Sequence, residues 1–526
     1  MLIDGGTLPA GHLLDTDLCI IGAGAAGITL GLAFAGHPDV RVCLVESGGF
    51  EFDAAVQELY RGDTLGTPYE AYDTRMRMFG GSTNHWGGWC RPLEAMDFEL
   101  RPWVAHSGWP IGLADLAPYY DEAGVLCEVG SLDLGVGIWA ERLGLPALGL
   151  DDSRLRNLLF QVSPPTRFGE VYRAPLLAAG NLTLCLNSSV LGFVRPAGGR
   201  MVERVEAVGT LARNRFAIRA RCFVLACGGI ENARLLLSSS RADDGLPDPH
   251  DLVGRFFMEH AHFNLGQLAL SHAWDPRLYL HSTPVAGAGG MAINAHLGLR
   301  PEVERAAQIA AVAVQVRPRL PSHGEKSLQR ILGSLRQGRY PDDLGFHLQR
   351  VLADLGAITG VVGDKLVHTL FPGESSGTIL SLRSVGEQVP NPDSRILLTE
   401  TTDALGLPKV LIDWRLAELD LLTLRRAGEI LAEEFGRLGL GRMQLAYSGE
   451  VEQDFIEWGY HHIGTTRMAD DPRRGVVDRH CRLHVAENFY VAGSSVFPTG
   501  GAGTPTITLV ALALRLADHL KAKVFA

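Results

Sequence analysis

The chain has no CxxC pair, no long apolar run, no internal repeat and no basic stripe, and each absence removes a class of function. Its eight cysteines (Cys19, Cys43, Cys90, Cys127, Cys185, Cys222, Cys227 and Cys481) are scattered without metal-ligand spacing. That speaks against a zinc site, a thioredoxin-like pair and a built-in iron–sulfur relay, and no metal is expected. Cys19, Cys43, Cys185 and Cys222 sit in apolar runs and read as small core residues. The longest apolar runs, 306–316 and 506–514, are too short to cross a bilayer. Residues 1–15 lack the basic start and apolar stretch of a signal peptide. A cytoplasmic location is the default expectation, and export by a partner subunit would leave the same sequence. The formal charge of −11 argues against a nucleic-acid partner, which requires a basic surface.

What is present is a long, ordinary globular composition. With 526 residues and 46% hydrophobic content, the chain can bury a large core. Length alone suggests about two to four domains. Residues 17–22 form a short apolar run ending in glycine, as a buried parallel strand does. A helix over 25–35 and a strand over 40–46 complete a βαβ unit. Further strands are expected at 182–190 and 223–226, with a hairpin over 204–210 and 214–219. The strand at 223–226 ends in Gly228 and Gly229 and leads to a helix over 231–237, so the parallel sheet resumes after an insertion. Between 260 and 450 the α/β signal fades. Strands at 309–317 and 395–399 and a helix at 418–438 stand out there. Helices at 326–340 and 344–355 flank Pro341, with Arg330, Arg336, Arg339 and Arg350 read as a solvated face. A strand at 488–492, a glycine-rich loop at 493–503 and a helix at 505–520 close the chain.

Gly22-Ala-Gly24-Ala-Ala26-Gly27 spells GxGxxG between a buried strand and a helix, and Glu46 ends the next strand. Together these make a dinucleotide fingerprint. Gly22 permits the turn, Gly24 lets a pyrophosphate approach, and Gly27 lets helix and strand pack. The helix N-terminus offers N–H groups to phosphate, and Glu46 can accept from ribose hydroxyls. The motif does not separate FAD from NAD.

Five further segments carry a resemblance: Gly80-Gly-Ser-Thr-Asn-His-Trp-Gly-Gly88, Val253-Gly-Arg-Phe-Phe-Met-Glu-His260, Asn391-Pro-Asp-Ser-Arg-Ile396, His461-His-Ile-Gly-Thr-Thr-Arg-Met468 and Val491-Ala-Gly-Ser-Ser-Val-Phe-Pro-Thr-Gly500. In this order they resemble the glucose–methanol–choline (GMC) oxidoreductases, closest to bacterial sugar and polyol dehydrogenases and pyranose oxidases. The resemblance implies an α/β fold, α+β overall, in which a Rossmann-like FAD-binding domain is interleaved with a sheet-based substrate domain. The expected division assigns 1–130, 185–260 and 465–526 to FAD binding and 131–184 and 261–464 to the substrate.

By the same resemblance, the enzyme oxidises an alcohol of a sugar, glycoside or polyol by hydride transfer to flavin. His461, three positions before Gly464, is the base, with the adjacent His462 as the alternative, and an imidazole suits that task near neutral pH. The second catalytic position falls on Thr504 before Pro505, where the family usually has Asn or His. A threonine hydroxyl can hold a substrate oxygen but cannot act as a base; it also suits a helix N-cap. The dipole of the helix opened by Pro505 would favour a negatively charged flavin. Gly80, Gly81, Ser82, Asn84, His85, Val190, Gly228, Gly493, Ser494, Pro505 and Thr506 join Gly22, Gly24, Ala26, Gly27 and Glu46 as cofactor contacts. His85 either packs on the flavin or carries it covalently.

The expected partners are a small alcohol and an electron acceptor (dioxygen, a quinone or a redox protein); the oligomeric state stays open. Rival readings are an NAD-dependent dehydrogenase, a redox-neutral FAD lyase or decarboxylase, and a non-catalytic flavoprotein subunit.

Overall fold

Leu18–Ile21, Val42–Val45 and Cys222–Leu225 are buried at every position. Strands apolar on both sides need cover on both faces, which a parallel sheet between helices provides. The computed structural model describes all residues except 68, 151–152, 165, 272–273, 281, 319–322, 337–340, 342, 354–378, 450 and 452–455. In it these runs form the centre of a six-stranded sheet. Its order is Leu2–Asp4, Leu182–Leu186, Val42–Val45, Leu18–Ile21, Cys222–Leu225 and Phe489–Val491, and every neighbouring pair is parallel. From Leu18–Ile21 the chain moves to one side first and reaches the other side only later. The crevice beyond the carboxyl end of that strand is therefore a switch point, where open α/β sheets bind ligands. Helices Ala25–Phe34 and Pro505–Lys523 pack against each other beside it.

One expected strand becomes two. The run 182–190 divides into Leu182–Leu186, in the parallel sheet, and Ser188–Val194, in a four-stranded sheet with Arg204–Gly209, Arg215–Arg219 and Leu13–Asp15. Asn187 turns the chain between them at φ 51°. Asparagine tolerates this left-handed conformation better than most residues.

The middle of the chain holds more sheet than its sequence suggests. Gly441–Leu445, His260–Leu270, Ile379–Glu387, Val312–Arg317, Ala292–Leu299, Leu155–Val162 and Trp89–Cys90 lie side by side, with Thr283–Pro284 added beside Ala292–Leu299. All these pairings are antiparallel. Two segments from the first 130 residues join these middle sheets: Trp89–Cys90 pairs with Leu155–Val162, and Asp63–Gly66 pairs with Pro408–Trp414.

Alternation gives the eight-stranded sheet two distinct faces. Gly386 faces Leu424 of helix Glu418–Arg437, which covers one side. Arg383, paired with Gln315, and Val385, paired with His262, look the other way. At the end of this strand Glu387 receives two hydrogen bonds from Arg101, at 2.7 and 2.6 Å, and neither side chain is exposed. Breaking such a pair would leave one charge uncompensated in the interior.

Helices His323–Arg336 and Leu344–Ala353 occupy the region expected to be helical; residues 337–340 and 354–355 lie outside the described residues. Their arginines are not a uniform solvated face. Arg330 pairs with the buried Glu70 and donates to the Tyr460 hydroxyl at 3.1 Å. Arg350 lies over the Phe346 ring, 4.3 Å from its centroid. Arg339 and the Arg336 side chain fall outside the described residues. Cys19, Cys43, Cys185 and Cys222 are buried and unbridged. Among the described residues, no helix is long and apolar enough to cross a membrane.

Candidate active site

The glycines of the first turn are required by the space around them. Gly22 has φ 101°, and a Cβ there would lie 2.6 Å from the Ala226 carbonyl oxygen. A Cβ at Gly27 would lie 1.9 Å from the Gly22 carbonyl oxygen. At Gly24, by contrast, a Cβ would meet nothing within 4 Å, because that position opens into a cavity. Gly24 is also the N-cap of helix Ala25–Phe34; no side chain caps it and no acidic residue occupies its first turn. The first N–H groups of the helix thus remain open to an anion at the cavity wall.

The cavity measures about 490 Å³ and lies between the carboxyl edge of the parallel sheet and the open face of the antiparallel one. Gly22, Gly24, Ala26, Glu46, Gly81, Ser82, His85, Val190, Gly228, His461, Gly493, Ser494, Thr504, Pro505 and Thr506 all border it. Gly27, Gly80 and Asn84 do not. Gly27 seals helix to strand, Gly80 donates its N–H to Ala23, and the Asn84 amide holds the carbonyls of Phe79 and Gly81. These three shape the cavity rather than touch its contents. The Glu46 carboxylate already accepts from the N–H groups of Ala23 and Gly48, both at 3.0 Å. The Ser47 hydroxyl donates to it as well, at 3.3 Å, and since a carboxylate has about four acceptor sites, about one remains for a ribose.

At the opposite end, His461 is positioned through its backbone. Its N–H donates to Glu259 at 2.7 Å, while burial pushes the Glu259 carboxyl up to about 7. Gly464, at φ 88°, brings the chain so close to Phe256 that a Cβ would lie 2.2 Å from its carbonyl oxygen. The Ser494 hydroxyl anchors the His462 carbonyl at 2.7 Å.

The imidazole of His461 meets a second one. Its Nδ1 lies 2.9 Å from Nδ1 of His260, and Nε2 of His260 lies 2.8 Å from the carbonyl oxygen of Gly501. A carbonyl can only accept, so His260 carries its proton on Nε2 and offers a lone pair at Nδ1. His461 must then donate from its own Nδ1, which leaves the lone pair on its Nε2. Burial, reinforced by His260 and His462, holds His461 well below the ordinary imidazole pKa, and burial lowers His260 as well. Both rings are therefore neutral, and the pair presents one base at a defined atom.

Thr504 takes the N-cap position of helix Pro505–Lys523, but its hydroxyl donates to the Trp89 carbonyl at 2.6 Å instead of capping. Its proton is committed there, so toward a ligand it can only accept. His462 packs edge-on to Tyr69, and its buried Nε2, 3.9 Å from Glu259, has no hydrogen-bond partner among the described residues although the residue borders the cavity.

The sequence did not single out His260, His262, His296, Gln315, Arg317 or Arg383. The last five border the cavity from the antiparallel sheet. His260 did appear at the end of the Val253–His260 motif, which was the one available signal.

Residues 390–513 match the family model described as GMC oxidoreductase. This segment is a GMC oxidoreductase C-terminal domain. Similar curated proteins span nearly its whole length. Paromamine 6'-oxidase of Streptomyces fradiae is 27% identical, covering 95% of this chain and 90% of that protein. The 2-methyl-1,2-propanediol dehydrogenase of Mycolicibacterium austroafricanum is 25% identical, covering 96% and 95%. Among solved structures, pyridoxine 4-oxidase from Mesorbium loti superposes with a TM-score of 0.60 at 19% identity, covering 96% of this chain and 99% of that one. This last likeness concerns the fold. The matched GMC oxidoreductase domain and the oxidase and dehydrogenase relatives make this an FAD-dependent enzyme, and its mixed helix-and-sheet architecture is the one the family resemblance implies.

Proposed function

We propose that this enzyme oxidises an alcohol group of a sugar, glycoside or polyol, with Nε2 of His461 taking the hydroxyl proton. The observation that carries this reading is the hydrogen-bonded series Gly501, His260, His461, which fixes the tautomer and leaves one lone pair for the cavity.

The cavity fits FAD on three grounds. The position of a Gly24 Cβ is open space beside uncapped N–H groups, the buried His462 Nε2 makes no hydrogen bond among the described residues, and the wall runs continuously from Glu46 to His461. Gly24 and the N-terminus of helix Ala25–Phe34 would hold the pyrophosphate, Glu46 the ribose, and Ser494, Pro505 and Thr506 the flavin end. When bound, FAD supplies the two-electron acceptor for the carbinol C–H. Thr504 accepts from a neighbouring hydroxyl and keeps the alcohol within reach of His461. Because Thr504 does not cap its helix, the first N–H groups of Pro505–Lys523 remain available to negative charge at the flavin end. We assign His85 to non-covalent flavin packing, so acid precipitation should leave the yellow colour in solution; colour in the pellet would show a covalent bond. We further assign residues 1–130, 185–260 and 465–526 to cofactor binding and 131–184 and 261–464 to the substrate.

Replacing His461 by Ala tests the assignment. General-base catalysis contributes about 10²- to 10⁴-fold, and kcat should fall by that order while FAD stays bound. A variant with full kcat at neutral pH would remove His461 from the mechanism.

A further inference from the structure

The face of the antiparallel sheet opposite helix Glu418–Arg437 carries an excess of positive charge over the cavity. Arg317 and Gln315 are two apart on one strand and share that face, and Gln315 pairs directly with Arg383 on the next strand. Arg383 donates to His262 Nδ1 at 2.8 Å and to Glu457 at 3.1 Å. Glu457 also receives Lys326 at 2.8 Å, so two cations share that carboxylate. Arg317 has no carboxylate partner among the described residues; its guanidinium donates to the Gln315 side-chain oxygen at 3.0 Å. Burial and Arg383 both act to lower its pKa, which marks a cation held in an environment that lacks compensation.

A second, independent observation lies beside it. His296 is 1% exposed, borders the cavity, and neither of its ring nitrogens has a hydrogen-bond partner among the described residues. Burial, with Arg317 and Arg91 nearby, holds its pKa well below the ordinary value, so the ring is neutral. Leaving a buried polar group without a partner is costly, and a ligand that hydrogen-bonds it removes that cost. The patch is also continuous with the base: a Cβ on Gly459 would lie 3.1 Å from the His262 ring and 3.2 Å from Nδ1 of His461.

We propose that the substrate is an alcohol bearing an oxyanion group, a carboxylate or a phosphate, which Arg317 binds with Gln315 and His296 while the hydroxyl to be oxidised reaches His461. This deepens the reading above and rests on it for the position of the reacting hydroxyl. Sugar acids and sugar phosphates meet the requirement; neutral sugars leave Arg317 and His296 unsatisfied.

The test uses the FAD-loaded enzyme with gluconate, glucose 6-phosphate and glucose, measured both by calorimetric binding and by anaerobic bleaching of the flavin. Tighter binding of gluconate or glucose 6-phosphate than of glucose is expected, and the tighter of the two names the group. Arg317→Gln should weaken that anion about tenfold or more, as loss of a charged hydrogen bond does. Arg317→Lys should recover part of the loss. An unchanged flavin spectrum and melting temperature show that each variant is folded. Glucose binding as tightly as both anions, or anion binding indifferent to Arg317→Gln, would overturn the proposal while leaving alcohol oxidation intact. Anion binding through Arg317 with no alcohol of any class bleaching the flavin would instead sustain the subsite and defeat the oxidation reading.

Discussion

Replacing His260 by Phe separates the tautomer argument from general packing. Phenylalanine keeps a ring of similar size but removes both the Nδ1 acceptor that faces His461 and the Nε2–H that faces Gly501. His461 then loses the partner that holds its proton on Nδ1, and the competing tautomer, with Nε2 protonated, cannot act as a base toward the substrate. One neutral hydrogen bond is worth about 0.5–1.5 kcal/mol net. As a tautomer preference that corresponds to a loss of about two- to thirteen-fold in kcat/KM. Two buried groups, Nδ1–H of His461 and the carbonyl of Gly501, are also orphaned at about 1–3 kcal/mol each, so stability should fall by about 2–6 kcal/mol. Steady-state kinetics across pH, with urea unfolding of the same preparations, measures both. Because burial is the first cause of the lowered His461 pKa, the acid limb of kcat/KM should lie below pH 6.5 in the native enzyme and stay there in the variant. His260→Asn, whose side-chain carbonyl can accept from His461, should recover part of the rate. A stability loss with unchanged kcat/KM would refute the tautomer role. A loss of a thousandfold or more would instead make His260 itself the base.

Other consequences are simpler. Gly27→Ala places a methyl 1.9 Å from the Gly22 carbonyl oxygen, so the turn must open and FAD content after purification should fall; full retention would contradict the assigned role of this glycine. Glu387→Ala strands the fully buried Arg101 and should cost about 3–5 kcal/mol in chemical denaturation, whereas a loss under 1 kcal/mol would mean water reaches the pair. The buried histidines set an acid limit. His462 has its pKa lowered by burial to about 3, so between about pH 6.5 and that value the unfolded chain binds a proton the folded one does not. Stability should be full above pH 6.5 and fall on acidification by about 1.4 kcal/mol per pH unit for each such group. His462→Phe should flatten that slope in pH-dependent unfolding, and an unaltered slope would assign it to other groups.

The parts of the site legible in the sequence are those made by residues close together along the chain. Gly22, Gly24 and Gly27 act within one turn, and the backbone around Gly464 brings His461 to the cavity through local geometry. The substrate side could not be read in this way. Arg317 and Arg383 meet only because Val312–Arg317 pairs with Ile379–Glu387, and His262 joins them through a third strand. Val312–Arg317 falls in the run read as a strand at 309–317, but its sequence gives no sign that Arg383 and His262 on two other strands lie beside its Gln315 and Arg317. Asn187 shows the opposite failure: the apolar pattern continues across it, while its backbone turns the chain from one sheet into another. At Thr504 the capping pattern gives the right position and the wrong hydrogen bond, because the nearby Trp89 carbonyl takes the hydroxyl proton.

Anaerobic titration of the FAD-loaded enzyme with sugars, sugar acids and polyols, followed at the visible flavin band, tests the central claim most directly. The account predicts that at least one of these alcohols bleaches the band in the native enzyme, and that His461→Ala slows the bleaching by about 10²- to 10⁴-fold at neutral pH. A yellow enzyme that no alcohol reduces, or one reduced equally fast without His461, would contradict it.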